Sequence, residues 1–148
     1  KSFATITKKY EREYGGNLSI SFRNFPLSDA CNPRLIGNSQ PQACDAALAA
    51  LAANKQGAFW KYHDLLFKSD LKLDSSSLLT IAKDAGLNIE NWDRDRHSPE
   101  ILELLLMDIN QANSMKINAT PTIFINGRKL SNIQDEAIRA ILNSELKR

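Results

Sequence analysis

Ile117-Asn118-Ala119-Thr120-Pro121-Thr122-Ile123-Phe124-Ile125-Asn126-Gly127-Arg128-Lys129-Leu130 is the stretch whose reading decides the fold. It reads as a loop ending in Thr120-Pro121 and a short strand, Thr122 to Ile125, of β-branched and aromatic residues. A second short strand, Arg128 to Leu130, follows a two-residue turn. Asn126-Gly127 suits a type I′ turn, which needs positive φ at both central positions. Pro121 has no N–H and a fixed φ, so it stands at the start of the strand and not inside it.

Upstream, Ser98-Pro99-Glu100 is a helix start, and Ile101, Leu104, Leu105, Ile109 and Ala112 make the buried stripe of the helix that delivers the chain to Pro121. Downstream, Ala137, Ile138, Ile141 and Leu142 describe a last amphipathic helix, with Glu145 to Arg148 expected to fray. Further out, Asp74 or Ser75 caps a helix that carries Leu78, Leu79, Ala82 and Ala85 inward and stops at Gly86. Asn91 is read as the cap of a short turn. Phe59, Tyr62, His63 and Leu66 mark one face of a helix after Gly57, with Trp60 and Phe67 on its flanks.

An alanine-rich helix runs from Pro41 to about Lys55, slim enough for neighbours to approach closely. Ser28 to Pro41 is a loop. Leu18, Ile20 and Phe22 alternate with polar residues, which predicts a strand with one buried face. Phe3, Ile6, Tyr10 and Tyr14 give a first amphipathic helix, stopped by Gly15-Gly16. The order is helix, strand, a block of about four helices, hairpin, helix: an α/β domain with a helical insertion over about 42–115.

At 148 residues the chain is read as one domain, 1–148, able to bury roughly 68–70% of its unfolded surface. A net charge of +2 with interspersed signs argues against a nucleic-acid or anionic-membrane partner. No run of about 18 apolar residues could span a membrane, and Lys1-Ser2-Phe3 lacks the features of a signal peptide. With no initiator Met, a mature form or a piece of a longer protein is expected.

Thr120-Pro121-Thr122 before an apolar strand, with Asn126-Gly127 behind it, resembles the cis-proline loop and following hairpin of thioredoxin-fold oxidoreductases, most closely the DsbA-like group. Ser21 to Leu27, Lys55 to Phe67 and Ile81 to Leu87 strengthen the resemblance, which covers about residues 1 to 142. It implies an α/β thioredoxin-like fold with the helical insertion, its first strand missing from this chain. That strand would lie between Leu18–Phe22 and Thr122–Ile125, so without it the sheet is expected to have a gap. A swapped strand, a rearranged sheet or a strand from a partner would then fill the place.

Thiol-disulfide exchange needs an activated thiolate, commonly at a helix N-terminus with a second Cys two residues on. No Cys-x-x-Cys occurs among these residues. The resemblance puts the motif immediately upstream of Lys1, and the uncapped first helix agrees with a preceding segment. It implies disulfide exchange with extracytoplasmic, periplasmic protein thiols. Ala119, Thr120 and Pro121 would hold the substrate backbone as an added strand. No cofactor and no metal are called for, and the 148-residue chain alone is expected to be inactive. The resemblance to the variant found beside or fused to vitamin K epoxide reductase-like membrane proteins implies such a protein as redox partner.

Cys31 and Cys44, with twelve residues between them, leave three states open: a structural disulfide tying the 28–41 loop to the helix, an auxiliary redox pair, or free thiols. The first is favoured, and a loop of that size would contribute about 3 kcal/mol. His63 is read as packed and His97 as solvated, neither catalytic nor ligating. Trp60 and Phe59 are read as core in preference to a peptide groove, and Arg94, Arg96, Lys147 and Arg148 as solvated surface. The rival readings are a redox-inert thioredoxin-like binding module, a structural or assembly domain, and a relative of the kappa glutathione transferases. The last fits least, since those enzymes are longer and nothing marks a glutathione site.

Overall fold

The computed structural model describes residues 3–37, 40–69 and 72–147, with side chains from Thr7 onward. Phe3 and Ile6 of the expected apolar face, and Arg148 of the expected solvated surface, therefore have side chains outside the described set. The chain divides into two compact units, Lys1–Ser21 with Lys116–Arg148, and Phe22–Met115.

In the first unit, α1 (Phe3–Tyr14) ends in a 3-10 turn, Gly15–Asn17, where Gly15 takes φ +54°. The hairpin consists of β1 (Phe124–Ile125) and β2 (Arg128–Lys129), antiparallel, with Phe124 opposite Lys129 and Ile125 opposite Arg128. Asn126 and Gly127 both have positive φ, +46° and +79°, as a type I′ turn requires. One further bond, from Leu130 N–H to the Ile123 carbonyl at 2.9 Å, extends the pairing. Helix α7 (Asp135–Glu145) completes the unit. Its core is Tyr10, Leu130, Ile138 and Leu142, with Tyr14, Leu18, Ile123, Ile125 and Ile141 packed against it. Asp135 fastens α7 to α1, accepting from Tyr10 Oη at 2.7 Å and Lys9 Nζ at 3.0 Å, while Arg139 pairs with Glu13. Glu145 is held, not frayed: it accepts from Asn126 Nδ2 at 2.9 Å and lies near Arg128.

The second unit is helical: α2 (Pro41–Lys55), α3 (Phe59–Lys68), α4 (Ser75–Asp84), α5 (Ile89–Arg96) and α6 (Pro99–Ser114). Helix α2 packs against each of the other four. Its alanines make this geometry accessible: Ala46, Ala49, Ala50, Ala52 and Ala53 sit in one core with Tyr62, Leu78, Ile81, Ala82, Leu87 and Trp92. Ala47 lies in another with Leu105 and Ile109. Small side chains let the helix axes close in, and the large rings of Trp92 and Tyr62 fill what remains. Both rings satisfy their polar atoms, Trp92 Nε1 donating to the Ala49 carbonyl at 3.0 Å and Tyr62 Oη to the Leu78 carbonyl at 3.1 Å.

Several expectations are corrected. Leu18 is extended, but Leu18–Phe22 forms no strand, and among the described residues the sheet has two strands of two residues each. A period-2 pattern makes an extended backbone, but a strand also needs a neighbour to take its N–H and C=O groups. Thr122 and Ile123 lie outside β1, although the Ile123 carbonyl still accepts from Leu130 N–H. The cap of α5 is Asn88, whose side chain accepts from Asn91 N–H at 2.9 Å, so a two-turn helix stands where a short turn was read. Asp74 caps α4 through Ser77 N–H. Leu104 is 41% exposed, because the buried side of α6 is set by Ile101, Leu105, Asp108, Ile109 and Ala112. Arg96 is not fully solvated: its side chain is 13% exposed, stacked over Trp92 at 4.9 Å and paired with Asp93.

Candidate functional site

Ala119, Thr120 and Pro121 are consecutive and exposed in the first unit, on the loop that leads into β1. The Thr120–Pro121 peptide is cis. Thr122 Oγ1 donates to the Ala119 carbonyl at 2.6 Å, which fixes the bend just before the hairpin. The ladder proper begins at the Ile123 carbonyl, so the loop offers exposed backbone next to a hairpin edge. Chemically this is a surface that can bind an extended chain through main-chain hydrogen bonds.

Cys31 and Cys44 form a disulfide in the second unit, with Cα atoms 6.0 Å apart. Cys31 is half-buried in the loop before α2, packed on the Ala47, Leu105 and Ile109 cluster; Cys44 is in α2 and 7% exposed. The loop is pinned on both sides. Arg34 donates to the Asn113 carbonyl at 3.0 Å, and Asn32 Oδ1 accepts from Asn113 Nδ2 at 3.4 Å.

His63 is buried inside a ring of aromatic side chains, with Phe22, Phe59, Trp60 and Phe67 centroids at 4.8, 5.7, 5.4 and 4.7 Å. Its Nδ1 lies 3.4 Å from Asp64 Oδ1, also buried. Phe59 and Trp60 are half-buried, and Phe67 is 60% exposed. His97 is exposed and bonds the Asp93 carbonyl at 2.7 Å. Among the described residues no cluster of three or more His, Cys, Asp or Glu could hold a metal, and no helix is long and apolar enough to cross a membrane.

The sequence reading missed one polar centre. Asp108 is buried on α6 and accepts from Asn24 N–H at 2.9 Å, Asn24 Nδ2 at 3.0 Å and Arg23 at 3.2 Å, holding the segment Arg23–Asn24 to the helix. An acidic residue within an otherwise apolar helical stripe was the available signal.

The thioredoxin family model matches residues 1–144. The chain belongs to the thioredoxin family. Among curated relatives of this thioredoxin domain, a "Na(+)/H(+) antiporter NhaA 1" of Mycolicibacterium gilvum is 37% identical over 132 residues, which are 86% of this chain and 20% of that protein. The "Probable disulfide bond formation protein D" of Bacillus anthracis is 27% identical over 153 residues, 97% of this chain and 66% of that protein. The chain thus spans about a fifth of the length of the antiporter it matches. A solved thioredoxin-like oxidoreductase from Silicibacter pomeroyi DSS-3 superposes with a TM-score of 0.77 at 22% identity, covering 99% of this chain and 79% of that one. The fold is thioredoxin-like, of the DsbA-like kind.

Proposed function

We propose that this chain is the thioredoxin-fold domain of a protein disulfide oxidoreductase that exchanges disulfides with extracytoplasmic protein thiols, its reactive Cys-x-x-Cys lying upstream of Lys1. The observation that carries the reading is the thioredoxin family match across residues 1–144. The exposed Ala119-Thr120-Pro121 backbone beside the hairpin supports it as the place where a substrate segment pairs. In this reading the substrates are protein thiols and disulfides, and a membrane protein of the vitamin K epoxide reductase-like type recycles the dithiol. Matching stretches within antiporter chains support a domain that works beside membrane proteins.

The test starts with the coding sequence before Lys1, where a Cys-x-x-Cys within a few residues is expected. Its absence would move the reading to a redox-inert module that binds peptide through the same loop. The longer protein should reduce insulin or oxidise a reduced, unfolded model protein catalytically, and the 148-residue chain should turn over neither. In that longer protein Thr122→Val removes the hydroxyl that bends the loop, so KM for a protein substrate should rise about two- to tenfold with kcat little changed. An unchanged KM would remove the loop from substrate binding.

A further inference from the structure

We propose that Met107 and Met115 form a reversible modification site: a peroxide converts their thioethers to sulfoxides in the folded chain, turning an apolar flank of α6 polar while the fold stays intact. Three observations carry it. The first is where the chain keeps its sulfur. It has two cysteines and two methionines, and Cys31 and Cys44 are joined to each other, so Met107 and Met115 hold the only unoxidised sulfur atoms.

The second is access. Methionine is among the residues most often fully buried, and its usual place is an irregular gap in a core. Here Met107 is 60% exposed and Met115 46%. An oxidant in solution reaches both side chains without any opening of the structure.

The third is the side of α6 on which they stand. Leu104, Met107, Gln111 and Met115, the last being the C-cap, follow at intervals of three, four and four residues, so they share one flank, and all four are exposed. The buried side belongs to Ile101, Leu105, Asp108, Ile109 and Ala112, which carry no sulfur. Oxygen added at Met107 and Met115 therefore leaves the packed stripe untouched and ends the apolar surface that begins at Leu104. Leucine and methionine have nearly equal helix propensity, so what methionine adds at position 107 is the oxidisable sulfur.

The step balances. A lone pair of the thioether sulfur attacks one oxygen of hydrogen peroxide, the S–O bond forms as the O–O bond breaks, and the departing hydroxide takes the remaining proton and leaves as water. Each methionine loses two electrons and each peroxide gains two. A methionine sulfoxide reductase, drawing on a dithiol, returns the thioether; the oxygen leaves as water and the dithiol becomes a disulfide. No step uses a Cys-x-x-Cys of this protein, so the outcome for the proposed function has no bearing on it.

The experiment treats the folded 148-residue chain with graded hydrogen peroxide at neutral pH and follows intact mass, the oxidised peptides, circular dichroism and the fluorescence of an apolar dye. Two successive additions of one oxygen are expected, Met107 ahead of Met115, with the helices unchanged and the dye signal reduced. Met107→Leu should remove the first addition and Met115→Leu the second. The double variant should take up no oxygen at the dose that saturates the wild type, and its dye signal should not fall. Treating the oxidised, folded chain with the two epimer-specific sulfoxide reductases should restore both mass and dye signal. Oxygen uptake that waits for unfolding in urea, loss of the helices with the first addition, or sulfoxides that the reductases leave in place would each overturn the proposal. A dye signal that oxidation leaves unchanged would overturn the effect on the α6 surface.

Discussion

Asp135 shows how one carboxylate at a helix start can fasten two helices that are distant in sequence. It accepts from Tyr10, from Lys9 and, at 2.9 Å, from Arg139, and these bonds hold its pKa well below the usual carboxylate range. Burial, together with the bond to Asp135, pushes the Tyr10 hydroxyl well above its ordinary value. The sign for Asp135 follows from linkage: a folded-state pKa depressed below the unfolded one gives stability that is complete above the unfolded value of about 4 and is lost as pH falls through the folded value. Urea midpoints of the wild type should therefore fall between neutral pH and about pH 3 more steeply than those of Asp135→Asn. Equal slopes would show that the three bonds give the carboxylate no preference for its charged form. Neither Asp135 nor Asp108 was legible in these roles, because Tyr10 stands 125 residues from the first and Asn24 84 residues from the second. The loop Ala119 to Pro121 was legible, because its signal is a local string of turn and strand chemistry.

At the scale of elements, α2 was readable almost to the residue, since Pro41 marks the start and the alanines give uninterrupted propensity. The price of that slimness is a core with no room to grow. Ala52 is fully buried between α2 and its neighbours, so Ala52→Leu should lower stability by about 1–3 kcal/mol in urea unfolding, whereas Gln42→Leu on the exposed side should stay within about 0.5 kcal/mol. Equal effects would mean that the alanines serve helix propensity alone. Helix α5 was less legible because two asparagines three residues apart both qualify as caps, and only packing selects Asn88. Leu104 misled for a related reason. On α6 the apolar residues outnumber the buried positions, leaving Leu102, Leu104, Leu106 and Met107 exposed.

For the whole molecule, the α/β class and its helical block followed from periodicity and turn residues, while the extent of the sheet did not. Leu18 to Phe22 has the alternation of a strand, but alternation says nothing about whether a neighbour lies within the roughly 4.8 Å that pairing needs. The result is a chain whose larger core is built almost wholly of helices. Among the described residues, twelve buried ones in the second unit, including Trp92, Tyr62 and Leu78, make one cluster, whereas the cluster in the first unit has four, Tyr10, Leu130, Ile138 and Leu142. Local stability follows buried apolar contact, so the two units should open at different free energies. Native-state hydrogen exchange in sub-denaturing urea should find the slowest amides in α2, at Ala49 to Ala53, and faster sub-global exchange in α1, the hairpin and α7. If amides of both units exchange together at every urea concentration, the molecule opens as a single cooperative body, and the difference between the two cores has no bearing on how it unfolds.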